Sequence, residues 1–241
     1  MMVQVQKWWW SLGLMLVVAV LAVAFLSRGS KHRSLESAGL EGDSDIALPQ
    51  PQREGDISVE EALQRRRSVR DHAEGPLSLE EVGQLLWAAQ GISDERGYRT
   101  APSAGALYPL ELYVVVGEVE TLAPGIYHYD PQTHALQLVA EGERREALAA
   151  KALGQTCVRH GTIDIVFTAI YERVMGKYGE RGRRYVHMEA GHAAQNVYLQ
   201  CASLELGAVV VGAFEDKGVQ DVLELPEERV PLYIMPVGRL P

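Results

Sequence analysis

Gly125-Ile126-Tyr127-His128-Tyr129, then Asp130-Pro131-Gln132-Thr133, then Ala135-Leu136-Gln137-Leu138-Val139 is the stretch on which the fold class turns. Two runs of strand-forming residues flank a turn signal, in which proline presets φ and aspartate accepts bonds from the backbone just ahead of it. The reading is a hairpin of two antiparallel strands. Outward from it, Leu112 to Val116 predicts a buried strand, Ile163 to Ile170 another, Ala208 to Val211 a short one and Val230 to Val237 the last. Helices interleave with them. Ser58 with Glu61 predicts a capping box opening a short helix through Arg66. Ser78 with Glu81 predicts a second, whose Leu79, Val82, Leu85, Leu86 and Ala89 share one face and which Gly91 closes. A long helix is expected from about Tyr185 to Leu206. Interleaved elements that include an antiparallel hairpin favour an α+β fold over a doubly wound sheet.

A chain of 241 residues with 47% hydrophobic content buries one full-sized core. Once the first fifty-odd residues are set aside, one domain over residues 56–241 is the expectation. The formal charge of -9 argues against a nucleic-acid partner, which would need a basic stripe to neutralise phosphates. Cys157 and Cys201 have no metal-ligand spacing and imply neither a zinc site nor a disulfide framework. Cys201 reads as a buried thiol.

The N-terminal segment is read as a membrane anchor over residues 1–27. Trp8 to Leu26 contains no charged residue and has about the length of a bilayer-crossing helix. Trp8, Trp9 and Trp10 suit an interfacial aromatic belt, and Arg28, Lys31, His32 and Arg33 flank the other end. That basic flank outweighs Lys7 and places the C-terminal domain on the cytoplasmic side of a single-pass protein. A cleaved signal peptide is the competing reading, with Ala22-Val23-Ala24 as its cleavage site. Residues 28–55 have the composition of a flexible tether.

Three clusters carry candidate chemistry. Arg65-Arg66-Arg67-Ser68-Val69-Arg70 groups guanidinium ions and a hydroxyl at a helix end, suited to a phosphate or an anionic ring edge. The plain alternative is that these arginines complement the helix dipole. Thr100 to Pro109 places Pro102, Ser103, Ala104 and Gly105 before a buried strand, where small residues let backbone amides approach a flat ligand, or simply make a tight loop. Gly176-Lys177-Tyr178-Gly179 sets a lysine beside a tyrosine, a candidate proton-transfer pair if neighbours lower the lysine pKa, and otherwise a solvated loop. Glu189 and His192 stand at i, i+3, but no second half-site exists and a metal is rejected. The glycine-rich dinucleotide, P-loop and serine-hydrolase motifs are absent.

In this order and spacing the clusters resemble the nitroreductase superfamily, and within it the SagB-type (thiazole/oxazole-forming oxidase-like) dehydrogenase branch. The resemblance covers about residues 56 to 241. It rests on Arg66 to Arg70, Pro102 to Pro109, Gly125 to Tyr129, Lys177-Tyr178, Gly191-His192-Ala193-Ala194-Gln195-Asn196, Val211-Gly212-Ala213-Phe214 and Pro236-Val237-Gly238-Arg239. It implies a nitroreductase-like α+β fold, with a central mixed or antiparallel sheet flanked by helices. It also implies a homodimer with two FMN molecules at the interface.

Carried over motif by motif, Arg66, Arg67, Ser68 and Arg70 hold the flavin phosphate and pyrimidine edge. Pro102, Ser103, Ala104 and Gly105 of the second subunit line the ring. Val211 and Gly212 offer backbone near its reactive nitrogen, Gln195 joins the cofactor set from its helix, and Arg239 is a second phosphate contact although the chain ends two residues later. Lys177 and Tyr178 match the pair that acts as base in azoline-oxidising members.

The expected activity is two-electron hydride transfer through FMN, with NADH or NADPH as candidate reductant and a small molecule or peptide as substrate. Azoline oxidation in peptide maturation is one sub-case, and a non-catalytic flavin-binding membrane module is the alternative. A structural membrane protein with no ligand is a third.

Overall fold

The computed structural model describes residues 45–241. The expected span at residues 8–26 and the first part of the tether therefore lie outside the described residues. Among those described, no helix is long and apolar enough to cross a membrane.

Seven strands make one sheet: β1 (Ile46–Ala47), β2 (Leu110–Val116), β3 (Gly125–Asp130), β4 (Ala135–Glu141), β5 (Ile163–Ala169), β6 (Leu206–Ala208) and β7 (Val230–Arg239). Their order is β1-β4-β3-β2-β5-β7-β6, every neighbouring pair antiparallel. The helices are α1 (Val59–Arg65), α2 (Leu79–Gln90), α3 (Arg145–Lys151), α4 (Thr156–His160), α5 (Glu172–Tyr178), α6 (Arg181–Ser203) and α7 (Asp216–Val222), with a 3-10 turn at Ala104–Ala106.

Side chains of a strand alternate between faces, and here both faces are covered. Leu112, Val114, Val116, Ile163, Ile165 and Phe167 face a core shared with α2 and α6. Tyr113, Val115, Val166 and Ile234 face a second core with α3, α4 and α7. Every residue of β5 is buried. A strand enclosed on both sides reads as a near-continuous apolar run, and β2 and β5 do so, broken by Glu111 in the one and by Asp164 and Thr168 in the other.

The hairpin forms as its turn chemistry requires. Asp130 Oδ1 accepts from the Gln132 amide at 2.8 Å and Oδ2 from the Thr133 hydroxyl at 2.9 Å, with Asp130 paired to Ala135. The capping box on α2 is complete: Ser78 Oγ accepts from the Glu81 amide at 3.2 Å and Glu81 Oε2 from the Ser78 amide at 2.8 Å. The expected box on α1 is half formed. Ser58 Oγ accepts from the Glu61 amide at 3.1 Å, but the Glu61 carboxylate pairs with Arg65 one turn on.

The structure moves some boundaries. Folding begins before Asp56, because β1 pairs with β4, Leu48 is buried, and Gln84 brackets Gln52 through bonds of 2.8 and 3.0 Å. A polar, proline-rich stretch looks like tether by composition, yet two residues suffice to pair with the outer edge of β4. The long helix starts at Arg181 rather than Tyr185, and α3, α4, α5 and α7 add short helices to those expected. Segments of five to seven residues hold too few turns for an apolar period to show.

Asp164 on β5 is fully buried, and both its carboxyl oxygens lack a hydrogen-bond partner. Burial pushes its pKa well up, with Arg145 pulling the other way and Glu143 adding to the rise. Stability from a raised acid pKa is full below the unfolded value, near 4, and is lost as pH climbs toward the folded value. Asp164→Asn is therefore expected to melt higher than the parent at pH 8 and within error of it at pH 4, a comparison that thermal unfolding at the two pH values makes directly.

Candidate functional site

The arginine-rich segment leaves α1 at Arg66 and lies along β6. The Val69 amide donates to the Ala208 carbonyl at 2.9 Å. This packing depends on Gly207, where a Cβ would come within 2.7 Å of the Val69 side chain. Tyr198, from α6, ties the arrangement together. Its hydroxyl accepts from the Val210 amide at 2.7 Å and lies 3.4 Å from Ser68 Oγ, while the Arg66 guanidinium sits 5.4 Å from its ring centre.

Beside this segment opens a cavity of about 750 Å³, lined in part by Arg65, Arg66, Arg67, Tyr198, Ala208 and Arg239. The cations around it differ in how they are satisfied. Arg65 pairs with Glu61, and Arg239 makes a two-point pair with Glu81 at 2.5 and 2.9 Å and donates to the Pro76 carbonyl at 2.8 Å. Arg67 donates to the Gln64 and Arg66 carbonyls at 2.8 and 2.7 Å. Among the described residues no carboxylate pairs with Arg66, Arg67 or Arg70. Ser68 and Arg70 are exposed and lie outside the cavity lining.

The second cluster closes on itself. The Arg99 amide donates to the Tyr108 hydroxyl at 3.2 Å, the Arg99 guanidinium lies 4.6 Å from the Tyr108 ring centre, and Ser103 Oγ accepts from the Tyr108 amide at 2.9 Å. Gly105, Ala106 and Tyr108 adopt positive φ of 66°, 53° and 45°. Glycine takes that conformation freely, whereas alanine and tyrosine do so at a cost and must be held. A Cβ on Gly105 would stand 2.8 Å from the Tyr178 hydroxyl and 2.9 Å from Lys177 Nζ.

Two clusters far apart in sequence thus meet, and Lys177 and Tyr178 belong to the last turn of α5 rather than to a loop. Arg173, one turn earlier, donates to the Tyr108 carbonyl at 3.1 Å and pairs with Glu111 at 2.6 Å. Burial disfavours the Glu111 charge, yet His128 and Arg173 hold its pKa down at about 2. Pro102 is exposed, Ala104 half-buried, and Gln195 half-buried on α6 beside Asn196, which donates to the Thr100 carbonyl at 3.3 Å.

Both clusters meet α6: Asn196 reaches the Thr100 carbonyl, and Tyr198, two residues on, lies beside Ser68. Past β6, Val211 exchanges two backbone bonds with Ile234, at 2.8 and 3.0 Å. Gly212 is exposed there, with only the Tyr233 ring near a would-be Cβ, at 3.8 Å. Tyr198 and Gly207 were not singled out in the sequence. A tyrosine and a glycine inside regular elements carry no local signal for a partner more than a hundred residues away.

Residues 63–239 match the protein-family model described as "Nitroreductase family". The chain belongs to the nitroreductase family. A nitroreductase-type protein of Methanocaldococcus jannaschii is 46% identical over 199 residues, covering 82% of this chain and 98% of its own. A crystal structure of a nitroreductase-type protein from Ralstonia eutropha JMP134 matches with a TM-score of 0.73 at 32% identity, covering 83% of this chain and 90% of the other. The Escherichia coli microcin B17-processing protein McbC is 31% identical over 170 residues, which span 67% of this chain and 62% of McbC. A chain of the E. coli microcin synthetase McbBCD complex, with truncated pro-MccB17 bound, shares the fold at a TM-score of 0.67, 24% identity and 92% coverage of both chains.

The nitroreductase family and the likeness to SagB-type relatives expected from the motifs thus hold. The Gly125–Tyr129 motif is on β3, the Gly191–Asn196 motif on α6 and the closing motif on β7, while Lys177-Tyr178 ends α5 and Pro102–Pro109 forms the loop before β2.

Gly105→Ala tests the loop geometry. A Cβ in the left-handed region costs about 1–2 kcal/mol and pushes against the Lys177 and Tyr178 termini. The expected result is a melting temperature lowered by several degrees, together with a changed Tyr178 fluorescence or NMR environment.

Proposed function

We propose that this protein is a membrane-tethered, FMN-dependent oxidoreductase that works as a homodimer. The observation carrying this reading is the common cavity of Arg66, Arg67 and Arg239, formed because the arginine segment is bonded to β6. Among the described residues Arg66 and Arg67 have no carboxylate partner, and they face a cavity of ligand-binding size, which fits a phosphate better than a merely structural role. Ser68 adds a hydroxyl and Gly212 an exposed stretch of backbone, whereas the Val211 amide and carbonyl are both spent on Ile234. When bound, FMN supplies a two-electron acceptor and donor of hydride.

The chain's own residues then bind and orient. Guanidinium groups hold the phosphate and offset negative charge at the pyrimidine edge. In the proposed homodimer Pro102, Ser103, Ala104 and Gly105 of the second subunit close over the ring, and Gln195 joins the cofactor set from α6. Lys177 and Tyr178, side by side at Gly105, hold a proton acceptor at that loop, with Lys177 Nζ 5.4 Å from the Tyr178 ring centre. NADH or NADPH is the proposed reductant. Residues 8–26 tether the enzyme, with its catalytic domain on the cytoplasmic side.

A second reading is azoline oxidation in peptide maturation, favoured by the likeness to McbC together with the Lys177–Tyr178 contact. There the pair would remove a ring proton as hydride departs, so a peptide would be the substrate and soluble partners would be required.

The full chain, purified in detergent, is expected to be yellow, to bleach with NADH or NADPH and to recolour in air. Flavin retained but bleached by neither nucleotide would point to a non-catalytic binding module, and a colourless protein after FMN addition would overturn the proposal. Arg66→Ala with Ser68→Ala should weaken flavin binding by about 10–100-fold, the worth of one or two charge-assisted hydrogen bonds, without lowering the melting temperature of the flavin-free protein. Lys177→Ala or Tyr178→Phe should keep flavin and lower proton-dependent turnover by about 10²–10⁴-fold. Wild-type turnover in both would return them to a solvated role.

A further inference from the structure

The antiparallel ladder between β2 and β5 continues past the ends of the strands. Leu110 pairs with Ala169, the Ile170 amide donates to the Pro109 carbonyl at 2.9 Å, and Arg173 Nη1 donates to the Tyr108 carbonyl at 3.1 Å. A last contact follows at Gly105, where a Cβ would lie 2.9 Å from Lys177 Nζ and 3.5 Å from Cε2 of the Tyr178 ring. Residues 105–109 are thus stitched in register to residues 170–178. Of these links, the one between Arg173 and Tyr108 is made by a side chain that is itself anchored elsewhere.

Tyr108 needs such a hold. With φ at 45°, and Ala106 at 53°, it keeps a left-handed backbone that a residue bearing a Cβ adopts only where its surroundings over-determine it. Arg99 covers the Tyr108 ring and Ser103 Oγ accepts its amide, but both belong to the same loop. Arg173 comes from α5, the helix that carries Lys177 and Tyr178. Its planar fork bridges two acceptors: Nη1 reaches the Tyr108 carbonyl, and Nη2 stands 2.6 Å from Glu111 Oε1 on β2. The other Glu111 oxygen lies 2.8 Å from His128 Nε2 of β3. The Glu111 side chain is 13% exposed, so this end of the ion pair is sheltered from screening.

We propose that Arg173 is a positioning residue for Lys177 and Tyr178: anchored on Glu111, it holds the Tyr108 carbonyl and so keeps the left-handed turn, with Gly105 at its head, seated against both side chains. This rests on the reading of that pair as the proton-transfer group. Without the guanidinium fork, the loop stays covalently joined to β2 at Leu110 and α5 to β5 at Ala169, but the bond that fixes one against the other at the level of the pair is gone. A displacement of about 1 Å at a reacting group costs on the order of 100-fold in rate. The effect therefore falls on turnover and leaves cofactor binding, which uses the arginine segment at β6, as it was.

NMR of the full-length protein in detergent, labelled at glycine and tyrosine, reads the seating without reference to turnover. The wild type should show a nuclear Overhauser cross-peak between the Gly105 α-protons and the Tyr178 ring. Arg173→Ala should lose it, whereas Arg159→Ala, which breaks an ion pair with Glu146 on another part of the surface, should keep it. With menadione as acceptor and the nicotinamide that bleaches the flavin as donor, kcat of Arg173→Ala should fall about 10–100-fold at unchanged KM and flavin content. Arg173→Lys, which keeps the charge opposite Glu111 but has no planar fork, carries the comparison if Arg173→Ala does not fold. A cross-peak retained without the arginine would overturn the proposal, as would wild-type kcat there when Lys177→Ala has lost it. Lys177→Ala separates the two readings. It should keep the cross-peak and lose turnover, so unchanged turnover in it, with the cross-peak still lost in Arg173→Ala, removes the proton-transfer role and leaves the Arg173 clamp standing.

Discussion

Burial of both faces of β2 and β5 is the constraint from which the rest of the architecture follows. A strand such as Ile163–Ala169, with no exposed residue, is stable only if helices cover it on either side. One face is covered by the long α6 together with α2, the other by the short helices α3, α4 and α7. Because α6 is 23 residues long and packed against the sheet, it fixes Asn196 at the Thr100 carbonyl and Tyr198 beside Ser68 in a rigid relation. The candidate site is thus an outcome of core packing, with polar groups placed where that helix meets loops.

The polar groups divide by their partners. Arg239, Arg173 and Arg145 are tied to carboxylates and backbone carbonyls and act as fasteners: Arg239 joins the end of β7 to α2 through Glu81, and Arg173 joins α5 to β2 through Glu111. Among the described residues no carboxylate pairs with Arg66 or Arg67. That contrast, more than the count of arginines, separates structural cations from those available to an anionic ligand. Arg239 stands in both groups, since it lines the cavity while engaged by Glu81.

Much of this frame was legible in residue order. The hairpin at Asp130, the capping box at Ser78 and the apolar runs of β2 and β5 each follow from local chemistry that needs no distant partner. The edge strand at Ile46 and helices α3, α4 and α7 were not legible, because a two-residue strand or a one-turn helix is selected by what it covers. At the site, the sequence marked Arg66, Ser68, Gly105, Lys177 and Tyr178 by type and spacing. It did not mark Tyr198 or Gly207, whose neighbours come from other elements.

The amino-acid order alone determined the α+β class, the family and the three candidate clusters, because periodicity, turn residues and motif spacing are written over short distances. Only the tertiary structure decided that Gly105 rests on Lys177 and Tyr178, that Val69 is bonded to Ala208, and that Asn196 reaches the Thr100 carbonyl. Those contacts join segments from tens to more than a hundred residues apart, and what brings them together is the closing of a buried sheet, which no single stretch of chain encodes.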